Sequence, residues 1–140
     1  MGTSSYPRPM LTVDVVVLTD APVPHVLLIQ RGYPPFAGDW ALPGGYVEEG
    51  EQIARAAPRE LAEETGLDLR SLRLLGVYDT PGRDPRGWTV SVTYLGTLST
   101  QAPVTGGDDA REARWFSADA LPELAFDHAT IIGDALVHRG

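Results

Sequence analysis

The sequence predicts an α+β fold: one domain with a mixed β-sheet, a central helix, and a second helix near the carboxyl end. Three observations carry this expectation. The length of 140 residues fits one compact core rather than two. β-branched apolar segments lie both before and after the one long stretch of good helix formers, so strands and helices do not alternate as regular βαβ units. With 43% hydrophobic and 21% charged residues, the chain also has enough apolar material for a folded core.

Taken in order, residues 1–10 contain Pro7 and Pro9 among polar neighbours and read as a loosely held arm, with the domain spanning 11–140. Leu11 to Leu18 is β-branched and reads as a strand; Asp20 to Pro24 is a turn, and Val26 to Ile29 its hairpin partner. Gly32 to Asp39 is a loop by its glycine and proline content, and Trp40 to Leu42 leads into Pro43-Gly44-Gly45. Glu51 to Thr65 is the best helix, with Gly66 placed to cap its end. Leu72 to Tyr78 and Thr89 to Leu98 read as strands flanking the turn-rich segment Pro81 to Gly87. A loop from Gln101 to Asp109 precedes a short strand, Ala113 to Phe116, and Asp127 is placed to cap a helix carrying Ile131, Ile132, Ala135 and Leu136 at helical spacing.

Composition excludes several classes of function. The net charge is −8 and the sequence pI about 4.7, and there is no Lys/Arg run, so a nucleic-acid partner is not expected. Small phosphorylated substrates remain compatible with an acidic chain, because a bound dication reverses the local field. No cysteine is present, which rules out disulfides and thiolate metal sites. No apolar run is long enough to span a bilayer and no secretory core is visible, so a membrane partner is not expected and the cytoplasm is the expected compartment.

The chemistry concentrates in Gly45-x5-Glu51-x7-Arg59-Glu60-Leu61-Ala62-Glu63-Glu64-Thr65-Gly66-Leu67. On a helix, Glu60 and Glu64 stand one turn apart on one face with Glu63 beside them. Three neighbouring like charges destabilise a helix unless a cation is held there, and carboxylate oxygens are what Mg²⁺ or Mn²⁺ prefers. A plain solvated acidic face is the alternative. The wheel argues against it: Ile53, Ala57 and Leu61 fall on the same side as Glu60 and Glu64, so the carboxylates edge a buried stripe. Pro58 is out of place in this helix, since it cannot donate to the carbonyl of Ala54; a kink or an irregular first turn is expected.

This pattern resembles the Nudix box without a gap, and the resemblance extends from about Val13 to Leu136. It implies an α/β/α sandwich around the mixed sheet and hydrolysis of a phosphoanhydride with Mg²⁺, or Mn²⁺, as cofactor. Glu60 and Glu64 resemble the main metal-binding carboxylates, Glu63 a further ligand, and the carbonyl of Gly44 another. Arg59 resembles the residue that orients the glutamates with Glu51 as its ion-pair partner, while Gly45 lets the loop fold over the site and Gly66 closes the box.

Outside the box, three stretches, 83–87, 107–116 and 121–128, look like those of the small ADP-ribose pyrophosphatases and of Nudix domains associated with NAD metabolism. The implied partner is a small nucleotide, with AMP and ribose 5-phosphate as products from ADP-ribose, and the resemblance admits a homodimer. Arg83 and Arg86 are candidates for the diphosphate or terminal ribose, or else for an Arg–Asp pair with Asp84 that stabilises the turn. Trp40, Tyr33 or Phe36 can stack on adenine, against which stands ordinary packing in a small core. Glu112 is the candidate base or extra ligand, with Asp108 and Asp109 as rivals; Asp127-His128 reads as a structural cap. The rival readings are a nucleoside-triphosphate pyrophosphohydrolase and a non-catalytic ADP-ribose sensor. The sensor is disfavoured by the intact box glutamates and by the lack of a DNA-binding segment after the Ile131 helix.

Overall fold

The computed structural model describes residues 6–107 and 109–139. Its elements are β1 Met10–Thr19, β2 His25–Arg31, β3 Trp40–Ala41, β4 Gly44–Tyr46, α1 Ile53–Thr65, β5 Arg73–Tyr78, β6 Thr89–Leu98, β7 Ala110–Ser117 and α2 His128–His138. The seven strands form one mixed sheet in the order β3-β2-β1-β6-β5, with β4 added to β1 and β7 to β2. β1 and β6 run parallel along their whole length, and the other pairs are antiparallel.

The two helices cover opposite faces of this sheet, which makes the α/β/α layering. Alternation along β1 sends Val13, Val15 and Val17 to one face, where Leu27 and Ile29 of β2 join them under Ala56, Ala57 and Leu61 of α1. Val16 and Leu18 go to the other face with Val26 and Leu28, under Ile131, Ile132 and Ala135 of α2. With both faces buried, the central strands are largely apolar; Thr12, Ser91 and Thr93 are buried among them, as is the charged Asp14 of β1, only 7% exposed.

The site is positioned by a splay in the sheet. β1 meets β2 at Leu18↔Val26, but nearer its start it pairs instead with β4, from Thr12↔Tyr46 to Asp14↔Gly44. β2 turns to β3 through Ile29↔Ala41 and Gln30↔Trp40. The Trp40–Tyr46 segment therefore wedges between the two strands, and the functional cleft opens beside it. These two short strands were not legible in the sequence, where Trp40 to Gly45 carries no strand assignment; pairing with β1 and β2 is what makes them extended.

Other elements depart from expectation by small, explicable amounts. β7 is longer than 113–116 because Gln30↔Glu112 and Arg31↔Ala110 extend its pairing with β2. Helix α1 starts at Ile53, so Glu51 lies outside it and is free to bend back to Arg59. Pro58 sits inside α1 without ending it, and the helix runs continuously from Ile53 to Thr65. Gly66 caps α1 at φ 74°, with its N–H donating to the Ala62 carbonyl. Asp127 stands at the cap position of α2 but makes no side-chain cap bond, because its carboxylate is taken by Arg83. Of the expected arm, residues 1–5 lie outside the described ones, residues 6–9 are exposed without regular structure, and β1 already begins at Met10.

Candidate active site

The acidic face of α1 opens into a cleft of about 690 Å³, which also receives Gly44, Gly45 and Tyr46 from β4, Asp14 from β1, and Arg31 from the end of β2. The loop after β5 contributes Arg83, Asp84 and Arg86, and Phe126 and His128 close the side next to α2. Anionic and cationic groups thus line one cavity, as a phosphate ester bound with a dication requires.

Arg59 organises the glutamates. Its Nε and Nη2 donate to the two carboxylate oxygens of Glu51 at 2.6 and 2.9 Å. Its Nη1 donates to Glu60 at 2.8 Å and to Glu63 at 2.9 Å, and Nη2 also reaches the Tyr46 carbonyl at 3.1 Å. One guanidinium thereby holds two of the three glutamates on α1 and the strand above them, with Glu51 as its bidentate partner. This pairing holds the Glu51 carboxyl below the usual range, chiefly through the hydrogen bond from Arg59.

Glu64 is different. It is 7% exposed, and its Oε1 accepts the Gly44 N–H at 2.8 Å. Burial pushes its pKa up to about 8; the Gly44 bond opposes the rise, and nearby Glu60, Asp14 and Asp109 add to it. A desolvated carboxylate among other carboxylates is the electrostatic setting that a hard dication reverses. The donor set is all oxygen, so Glu60, Glu63, Glu64 and the Gly44 carbonyl fit Mg²⁺ in chemistry. Among the described residues, however, no three acidic or imidazole groups converge as a closed ligand set, since Arg59 draws Glu60 and Glu63 to itself.

Two glycines are required by close approach. A Cβ on Gly45 would fall on the Glu60 carboxylate, within 2.6 Å of its Cδ. One on Gly44 would strike the Val13 carbonyl and lie 2.6 Å from Asp14 Oδ1.

The two loop arginines have separate partners. Arg83, its side chain 4% exposed, donates to both oxygens of Asp127, at 2.9 Å from Nε and 2.7 Å from Nη2. Arg86 donates to both oxygens of Asp84, at 3.1 and 2.8 Å, while remaining 38% exposed. The turn-stabilising Arg–Asp84 pair weighed from the sequence therefore exists for Arg86, and Arg83 instead ties the loop to the start of α2.

Some anticipated residues lie elsewhere. Trp40 stacks edge-to-face on Phe116 at 4.8 Å, with the Arg114 guanidinium over its ring, and does not line the cleft. The β3 pairing turns it toward the α2 face of the sheet, where it packs against the core. Glu112 stands on β7 beside Arg114, whose Nε donates to it at 3.0 Å, and it too lies outside the cleft; Asp109 lines it. Asp108 falls outside the described residues. Tyr33 lines the cleft and is 60% exposed, whereas Phe36 packs edge-to-face on Phe126 at 4.9 Å.

Sequence reasoning missed Asp14, Arg31, Tyr46 and Phe126. Asp14 carried a signal, being the one charged residue within the apolar run Leu11 to Leu18. Its Oδ2 accepts from the Ser91 hydroxyl at 2.6 Å, and its Oδ1 lies 3.5 Å from His128 Nε2. Arg31 and Arg86 both place their guanidinium carbons over the Phe126 ring, at 5.0 and 5.7 Å. Burial and the nearby Arg86 charge lower the Arg31 pKa.

A profile for the NUDIX domain matches residues 8–135. An ADP-ribose pyrophosphatase from Methanocaldococcus jannaschii is 45% identical over 92% of this chain and 74% of its own length. An ADPR-responsive transcriptional repressor, NtrR of Acinetobacter baylyi, is 36% identical over 94% of this chain but only 55% of its own. Among solved structures, the NUDIX domain of Shewanella oneidensis NrtR complexed with ADP ribose superposes with a TM-score of 0.88 at 34% identity, covering 97% of this chain and 92% of that one. A MutT/nudix family protein from Enterococcus faecalis gives 0.89 at 35% identity, covering 99% of this chain and 64% of that one. With Glu60 and Glu63 held by Arg59 beside Glu64 in one cleft, and the NUDIX domain matched over nearly the whole chain, this chain belongs to the Nudix family.

Proposed function

We propose that the protein hydrolyses the diphosphate of ADP-ribose to AMP and ribose 5-phosphate, with Mg²⁺ or Mn²⁺. The observation that carries this is the composition of the cleft: Glu60, Glu63 and Glu64 line it together with Arg31, Arg86 and the exposed ring of Tyr33. Similarity to the Methanocaldococcus ADP-ribose pyrophosphatase and to a domain crystallised with ADP ribose supports the choice of substrate.

Glu60, Glu63, Glu64 and the Gly44 carbonyl would hold the metal. When bound, it supplies an activated water and offsets charge on the diphosphate oxygens. Arg59 keeps Glu60 and Glu63 oriented, and Gly44 N–H keeps Glu64 in place. A water attacks one phosphorus, the bond to the bridging oxygen breaks, and the second phosphate leaves. Asp109, rather than Glu112, takes the water's proton, because it lies in the cleft. Arg86, partly exposed, reads the diphosphate or terminal ribose, while Arg83 holds the loop. Tyr33 and Tyr46 offer the faces for adenine.

The test is a product assay on ADP-ribose and on nucleoside triphosphates, with Mg²⁺, with Mn²⁺ and after exhaustive chelation. AMP and ribose 5-phosphate formed only with metal support the proposal. A preference for triphosphates, yielding monophosphate and pyrophosphate, would replace the substrate and leave the family standing. ADP-ribose bound without turnover would make the chain a sensor.

A further inference from the structure

We infer that His128 is a positioning residue that sets the segment carrying Gly44 and, through it, Glu64. The inference rests on the metal site proposed above. His128 is 4% exposed and belongs to α2, yet its Nδ1 accepts the backbone N–H of Leu42 at 2.9 Å. An accepting Nδ1 carries no proton, so the ring is neutral and its proton sits on Nε2, toward Asp14 Oδ1 3.5 Å away. Burial lowers the pKa of the ring further.

The chain of contacts is continuous. Leu42 is itself 2% exposed, so its N–H depends on a protein acceptor. One residue on, the Pro43 carbonyl accepts from Val15 N–H at 2.9 Å; the next, Gly44, donates to Glu64 at 2.8 Å. On the near side, the Trp40 carbonyl accepts from Ala125 N–H at 2.9 Å. The wedge between β1 and β2 is therefore tied at successive residues, and His128 is the one side chain from the far face of the sheet among those ties. Asp14, held by Ser91, keeps the imidazole turned to Leu42, and the clamp between Arg83 and Asp127 holds the start of α2 from which His128 projects.

Two substitutions separate positioning from packing. His128→Asn keeps an acceptor at the δ position, where Nδ1 stands, but leaves the larger void. His128→Gln fills the space better and keeps a donor toward Asp14, but has no acceptor at the δ position for Leu42. Two readouts apply: amide exchange at Leu42 and Gly44 in the metal-free protein, and Mn²⁺ affinity by electron paramagnetic resonance. A lost hydrogen bond of ordinary strength corresponds to about tenfold. His128→Asn should stay within about threefold of wild type in both, and His128→Gln should exchange faster and bind Mn²⁺ more weakly by about tenfold. Gln matching or exceeding Asn in Mn²⁺ affinity and Gly44 protection would overturn the inference, since packing alone predicts that order. A wild-type chain that binds no Mn²⁺ would sink the metal site instead, while the exchange rates still decide whether His128 holds the wedge.

Discussion

Removing the charge of Glu64 tests the electrostatics of the site without assuming a substrate. Burial raises the Glu64 pKa from 4.5 to about 8. Each tenfold change in proton affinity corresponds to about 1.4 kcal/mol, so the rise represents roughly 5 kcal/mol of stability linked to pH. The direction follows from which state binds the proton more tightly. Below pH 4.5 the carboxyl is protonated in both states and contributes nothing. As pH rises from there toward about 8, the unfolded chain ionises while the folded one keeps its proton, so stability falls; above about 8 the full penalty is present. Glu64→Gln can still accept the Gly44 N–H through its amide oxygen but cannot ionise. In urea unfolding with chelator, wild type should therefore lose several kcal/mol relative to Glu64→Gln between about pH 5 and about pH 8.5. Adding Mg²⁺ should restore wild type selectively at the high end, with release of close to one proton near neutral pH. Parallel stability profiles for the two proteins, without metal, would refute the claim that Glu64 is held protonated by burial.

Four further outcomes are expected. Pro58→Ala restores a donor for Ala54 and should raise the melting temperature; unchanged turnover would make Pro58 a simple strain, and a fall in turnover would show that it aims Glu60 and Glu64. Arg83→Ala leaves Asp127 without its bidentate partner beside the buried Asp14, and should cost about 3 kcal/mol in denaturant. Arg86→Ala should instead lower kcat/KM on ADP-ribose by about 10- to 150-fold, and more than on a triphosphate; equal losses on both substrates would make it a general phosphate or structural residue. Asp109→Asn should lower kcat by at least about 100-fold while Glu112→Gln leaves it nearly unchanged, and the reverse order, read in steady-state kinetics, would return the base to Glu112.

What the sequence determined by itself was everything that depends on near neighbours along the chain. Glu60, Glu63 and Glu64 share a helix face because one turn of helix separates them, and Ala57 and Leu61 bury the adjoining stripe. Gly66 ends that helix because a left-handed residue is needed there. Strand periodicity in β1 and β6 was equally local, and the mixed layering followed from it. Tertiary structure decided where separate segments meet. Trp40 was turned to Phe116 by two residues of pairing with β2, and Glu112 was carried out of the cleft by the lengthened β7, leaving Asp109 inside. Asp127 preferred the Arg83 guanidinium to its own helix end, because a bidentate ion pair outweighs one cap bond. His128 found the Leu42 N–H across the sheet, a partner that no local spacing announces. A buried polar group takes whichever partner folding brings within reach, and that choice is settled only when the strands have packed.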